Sequence, residues 1–297
     1  MSEAASSPER IATQRLERGA FTRALLKILR EPMGAFGLAL VVIAVFSAIF
    51  ADVLATADPL RLSPRDRFLG PSAEHLLGTD QLGRDLFARV LHGGRIALAV
   101  ALGATFLSLV IGVLLGLVAG YGPRWLDNLL ILLFDAVKSF PTVMLALTLV
   151  TLFGPSLMAV VIVVVLVSVP SYARIIRTQT IQLKSAAYVT AVRSMGAGMG
   201  RILGVHVLPN VIGPVLILAS MDIPVVIAIE AGMSFLGLGV RPPTPSWGAI
   251  LNDGFANIRE SYWLVVAGGL PIVVTTLGFT FLGETLRDVF DPRFKAR

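Results

Sequence analysis

The chain has 297 residues, 55% of them hydrophobic and only 15% charged. That balance excludes an ordinary soluble domain, in which about 25% of residues are charged, and marks an integral membrane protein. It contains no cysteine, which rules out disulfide frameworks, zinc–thiolate sites, iron–sulfur clusters and cysteine nucleophiles together. The net charge of +6 is scattered over the loops between apolar runs, so it reads as a topological bias and not as a nucleic-acid surface.

Residues 1–32 read as a basic cytoplasmic tail and interfacial helix, with Phe21, Leu25, Ile28 and Leu29 on one apolar side. A span needs roughly 20 apolar residues, and 33–55 supplies the first. Leu54-Ala55-Thr56-Ala57 has the look of a signal-peptidase site. The apolar run before it is long and sits behind a polar leader of about thirty residues, unlike a secretory signal, so an uncleaved span is expected. The loop that follows carries a dense turn-and-charge cluster at Gly78, Thr79, Asp80, Gly83, Arg84 and Asp85, read as an ion-pair network that fixes the loop.

The second span, 95–120, places Ala104, Ser108, Gly112, Gly116 and Gly120 four apart, a stripe that lets helices approach closely. From Leu129 the chain stays apolar for too long to be one span, and Phe153-Gly154-Pro155-Ser156 divides it into spans 129–152 and 157–177. Asp135 and Lys138, three apart, are read as a local pair.

The loop 184–209 is expected to form two short helices. Tyr188, Val192 and Met195 make an apolar stripe ending at Gly196, a second helical phase resumes at Ile202, and Pro209 closes it. An apolar patch facing water on a short helix asks for a protein partner.

The fifth span, 211–236, carries Asp222 and Glu230 roughly on one face. Ionisable residues are costly in lipid, so these line a polar pathway or hydrogen-bond across a helix interface. In the next loop Pro242, Pro243 and Pro245 stiffen the chain, and Trp247 is read as a membrane-interface anchor. A sixth span, 262–283, precedes a tail at 287–297. With six spans both termini share a side, and most of the 25 lysines and arginines then fall on it, which makes it cytoplasmic.

No GxxxxGK[ST], HExxH or GxSxG motif occurs, so ATP hydrolysis, zinc proteolysis and acyl hydrolysis on this chain are not expected. His75, His92 and His206 lie far apart in sequence, and no metal site is expected.

Residues 184–209 resemble the "EAA" loop of ABC importer permeases, E-A-A-x3-G-x9-I-x-L-P. The matching positions are Thr190-Ala191-Val192, Gly196, His206, Leu208 and Pro209. Thr190 stands for the motif glutamate, Val192 for its second alanine, and Ala187 where this subfamily often has a further glutamate. LGTDQLGRD (Leu77–Asp85), FLGLGVRPPTPSWG (Phe235–Gly248) and LRDVFDPR (Leu286–Arg293) resemble blocks of the "C" permease of dipeptide, oligopeptide and nickel importers. Glu230 and Asp135 match positions at which that family often carries the same residues.

The resemblance implies an all-α membrane protein with six spans and the type I importer permease fold. A second, "B"-type permease would complete the pore. Two ATP-binding subunits would carry ATP and Mg²⁺, an extracytoplasmic binding protein would deliver the solute, and lipid would surround the bundle. This chain itself would hold no cofactor and no catalytic residue. Tyr188, Thr190, Ala191, Val192, Met195, Gly196 and Ala197, with His206, Leu208 and Pro209, would couple this chain to one ATPase and move with it as a rigid piece. Peptides are the leading solute, with nickel and glutathione-like solutes sharing the same blocks. A secondary transporter with an Asp222/Glu230 ion relay is the reading from another class.

Overall fold

The structure, a computed structural model, describes residues 26–290. Phe21, Leu25 and Asp291–Arg297 lie outside the described residues. Residues 26–30 are helical, with Ile28 buried and Leu29 half exposed. Helix α1 (Pro32–Ile49) starts with proline in its first turn, where the missing N–H is harmless. The helical geometry breaks at Phe50, and a single turn, α2 (Ala51–Leu54), ends the first apolar run. A loop containing one 3₁₀ turn at Pro64–Asp66 follows.

Helix α3 (Leu86–Tyr121) is 36 residues long and begins nine residues before the apolar run from which a span was read. The Asp85 carboxylate starts it, accepting from the Ala88 amide at 2.7 Å. Gly122-Pro123 ends it. The apolar run at 129–152 is not one straight helix. It divides into α4 (Arg124–Lys138) and α5 (Thr142–Phe153), bent by 92° at Ser139-Phe140-Pro141. Proline cannot supply the amide that would carry α4 through this point. α4 lays Leu130 and Phe134 against Ala119, Val169 and Ala173 of its neighbours.

Ser156 caps α6 (Leu157–Lys184) through the Ala159 amide at 3.2 Å. Two short pieces follow, α7 (Ala187–Ser194) and α8 (Met199–Arg201). A wide π turn at Ile202–Val207 joins α8 directly to α9 (Leu208–Phe235). The separate second helix expected between Gly196 and Pro209 is therefore the foot of the fifth span. Pro209 sits in the first turn of α9 and does not close a helix. Its ring crowds the carbonyl four residues back, and a π turn is one way to relieve that clash. Helices α10 (Trp247–Ala256) and α11 (Trp263–Phe290) complete the fold, α11 running on into the segment read as a tail.

Five of these helices are long and apolar enough to cross a membrane, and the bent pair α4–α5 brings the number to six. α3 and α6 share the most extensive interface. The small stripe read from sequence lies in it: Gly112, Gly116 and Gly120 meet Tyr172, Ala173, Ile176 and Thr180 so closely that a Cβ would stand 2.6–2.7 Å from its nearest neighbour. α1 lies against α11 through Gly34 and Gly37 in the same way. The main core gathers residues of α3, α6 and α9, with Trp247 of α10 and Phe279 of α11.

Candidate functional site

Helix α7 projects from one end of the bundle. Val189 is 1% exposed and packs with Ile202, Val207, Val211 and Tyr172, and Val192, one turn on, is half-buried in the same cluster. Val192 thus faces inward, contrary to the outward stripe read from sequence. An eight-residue helix takes its rotation from whatever it rests on, and two valines three apart form the apolar face that rests on α9. Ala187, Ala191 and Met195, spaced by four, are left facing out, with Met195 77% exposed and Tyr188 beside them half-exposed. Thr190 turns outward too, its hydroxyl donating back to the Ala186 carbonyl at 3.2 Å.

Gly196 turns the chain at φ +84°, the left-handed region, with nothing within 4 Å of where a Cβ would stand. Glycine is needed here for the backbone and not for internal space. Ala197 tucks back into the cluster. The carbonyl of half-buried His206 accepts from Asn210 Nδ2 at 2.8 Å and from the Tyr188 hydroxyl at 3.5 Å. Leu208 packs in the cluster and Pro209 is exposed.

Asp135 does not pair with Lys138. Its carboxylate accepts from Arg174 of α6, and Asp127 likewise takes Arg177. The two aspartates, eight apart on α4, face two arginines three apart on α6, so these bonds rivet α4 to α6. Asp222 is half-buried on α9. Glu230 has no exposed surface. Its Oε1 accepts from Ser234 on its own helix at 2.8 Å, and Oε2 has no partner among the described residues. Neither oxygen bonds across to another helix.

At the opposite end of the bundle, Gly78 and Gly83 have φ of +79° and +73°, and a Cβ would lie 2.3 Å and 1.8 Å from the carbonyls of Leu69 and Ser63. Only glycine fits either corner. The turn they make aims Asp80 inward, where Oδ1 accepts from the Leu82 and Arg84 amides and Oδ2 from Arg84 Nε at 2.6 Å. Thr79 donates to the Asp66 carbonyl and accepts from the Leu69 amide. Asp85 does not pair with Arg84; it caps α3 and meets His75 Nδ1 at 2.9 Å.

Two partners absent from the reading of this cluster complete it. Arg89, one turn into α3, stands 3.5 Å from Asp80, and Asp253 of α10 stands 3.8 Å from Arg84. Trp247 is no membrane-interface anchor. It is 4% exposed, donates from Nε1 to the Val90 carbonyl at 2.8 Å, and fills the space left by Gly93 and Gly94.

Apolar membrane-crossing helices around a glycine-lined α3–α6 contact, with a short helix offered to solvent at one end, define a helical bundle of the multi-pass membrane class. Residues 112–296 match the family described as "Binding-protein-dependent transport system inner membrane component", and the chain belongs to that family. It is 36% identical to the dipeptide transport system permease protein DppC of Alkalihalophilus pseudofirmus, covering 92% of this chain and 90% of that one. Identity is 39% to the di/tripeptide transport system permease protein DppC of Pseudomonas aeruginosa, over 87% and 88% of the two chains. It is 36% to the glutathione transport system permease protein GsiD of Pectobacterium atrosepticum, over 91% and 90%. The fold is that of a chain in the inward-facing MetNI methionine ABC transporter, with a TM-score of 0.54 at 17% identity, over 68% of this chain and 97% of that one. The chain is accordingly an all-helical, multi-pass permease subunit of an ABC importer with the type I fold.

Proposed function

We propose that this chain forms half of the translocation pathway of an importer for di- and oligopeptides and transmits ATPase closure to it. A second permease supplies the other half. Two ATP-binding subunits hold ATP and Mg²⁺, and an extracytoplasmic binding protein delivers the solute. Both termini and α7 face the cytoplasm, and no residue of this chain makes or breaks a bond.

The observation that carries the coupling role is the build of α7. Val189 fixes one face to the foot of α9, while Ala187, Ala191 and Met195 form a free apolar strip on the other. Such a helix is held too firmly to fold away and is left with a surface that a partner's groove would cover. The peptide solute rests on the relatives named for dipeptide and di/tripeptide transport. A glutathione system among the relatives keeps the solute within peptide-like compounds.

The test is Gly196→Leu. Leucine is strained at φ +84°, but the strain falls on the α7 turn and nothing within 4 Å has to move, so the variant is expected to reach the membrane with its spans intact. Peptide uptake is expected to fall at least tenfold while basal ATP hydrolysis by the assembled complex persists. Wild-type uptake together with wild-type stimulated hydrolysis would overturn the coupling role.

A further inference from the structure

On the extracytoplasmic side of that orientation, the Gly78–Asp85 turn, the first turn of α3, the Pro155 corner and the α9–α10 loop enclose a cavity of about 600 Å³. Small-molecule sites typically occupy about 300–1,000 Å³. Arg89 lines this cavity, is only 3% exposed, and has neither Nε nor Nη1 in a hydrogen bond. The Asp80 oxygen 3.5 Å from Arg89 is already held by Arg84 at 2.6 Å. Arg241, also lining the cavity, spends its Nε on the Pro155 carbonyl at 2.9 Å. Three guanidinium groups therefore share two carboxylates, Asp80 and Asp253, and the cavity keeps a positive excess.

Buried donors without acceptors are costly, and a guanidinium fork is matched best by a planar two-oxygen anion. The same cavity offers the converse. Gln81 Oε1 is buried without a donor, and Asn252 and Asp253, the latter only 3.8 Å from Arg84, line the same cavity. Unmet donors and unmet acceptors in one cavity are the complement of a zwitterion. At 3% exposure Arg89 offers almost no surface to a side chain on another protein, whereas a small solute can enter the cavity.

We propose that this cavity is a solute subsite on the permease itself, in which Arg89 receives the free α-carboxylate of a di- or tripeptide and Gln81 and Asp253 face its N–H groups. The inference rests on the peptide reading above.

The experiment uses the assembled transporter in nanodiscs, without the binding protein, and measures binding of radiolabelled dialanine and of dialanine amide. Dialanine is expected to bind at least tenfold more tightly than the amide, and Arg89→Gln to erase that difference. Thr244→Trp, on the exposed rim and outside the ion pairs, is expected to abolish dialanine binding by filling the cavity; it decides alone if Arg89→Gln fails to assemble. Equal binding of acid and amide, undetectable dialanine binding, or unchanged binding in Thr244→Trp would each overturn the subsite. So would an Arg89→Gln complex that loses attachment of the peptide-free binding protein, since the anion would then belong to that protein. A wild-type transporter that carries dialanine but fails these tests leaves the peptide reading intact; one that carries no peptide overturns the reading itself.

Discussion

Replacing Gly116 by alanine adds one methyl group in the close contact between α3 and α6. The new Cβ would stand 2.6 Å from the Ala173 carbonyl oxygen and 2.7 Å from Ile176 Cβ, where ordinary contact begins at 3.4 Å. The nearer neighbour is backbone, so no side-chain rotation relieves it, and α3 and α6 must part by several tenths of an ångström. Overpacking of this kind costs about 1–3 kcal/mol. The helix-propensity gain of alanine over glycine, at most about 1 kcal/mol, offsets part of it. Gly103→Ala on the same helix is the control, because nothing lies within 4 Å of its Cβ and only the gain remains. The assay is thermal unfolding of the purified chain in one detergent. Gly116→Ala should lower the midpoint by several degrees, taking about 2–4 °C per kcal/mol for a chain of this size, while Gly103→Ala should hold or raise it. Equal midpoints for the two variants would refute the claim that backbone contact, and not lipid or propensity, sets the α3–α6 distance.

Three further outcomes follow from the geometry. The outward face of α7 presents Ala187, Thr190, Ala191 and Met195 and no carboxylate, so stimulated ATP hydrolysis should change less than twofold between 50 and 500 mM salt, roughly a threefold shortening of the Debye length; a steep fall would show a charged contact. Hydrogen bonds from Arg95 and His92 hold the Asp52 carboxyl below its ordinary value of 3.8. The tie it makes between α2 and α3 is thus fully present above that value and is lost as pH falls through the depressed one. Asp52→Asn should lower the thermal midpoint at pH 7 and approach wild type in acid, and a deficit that persists there would assign the loss to packing. Trp247→Phe gives up the bond to the Val90 carbonyl and part of the indole's contact with Gly93 and Gly94, a loss of about 1–3 kcal/mol; an unchanged midpoint would return Trp247 to the lipid interface.

The features readable in sequence were those with a local rule behind them. The four-residue spacing of Gly112, Gly116 and Gly120 has one physical use in a membrane helix, and these residues sit where that use requires. Phe153-Gly154-Pro155-Ser156 ends one helix and caps the next for equally local reasons. What escaped depended on partners distant in the chain. Hydropathy runs straight through Ser139-Phe140-Pro141 and so does not register a right-angle bend. The nearest cation to Asp135 in sequence is Lys138, yet its partner is Arg174, 39 residues away, because α4 lies on α6. A tryptophan beside prolines looks like an interface anchor until α3 brings two glycines beneath it. The rotation that turns Val192 inward was likewise set by the foot of α9, which the sequence of α7 alone does not contain.

The π turn at Ile202–Val207 has a mechanical consequence. Because it joins α8 to α9 without a loop, Met199–Phe235 is a single rod of 37 residues, about 55 Å at the α-helical rise. One end stands beside Gly196 and the other carries Ser234, in the wall of the arginine-lined cavity. Pro209 stands at the π turn and Pro214 and Pro224 lie inside α9, and these are the places where the rod flexes most readily. Nothing along the rod takes up slack as a loop would, so a stroke delivered at α7 arrives at the cavity wall as a swing of the same piece. Grip on the solute and closure of the nucleotide sites then become two readings of one displacement, with no message to be relayed between them.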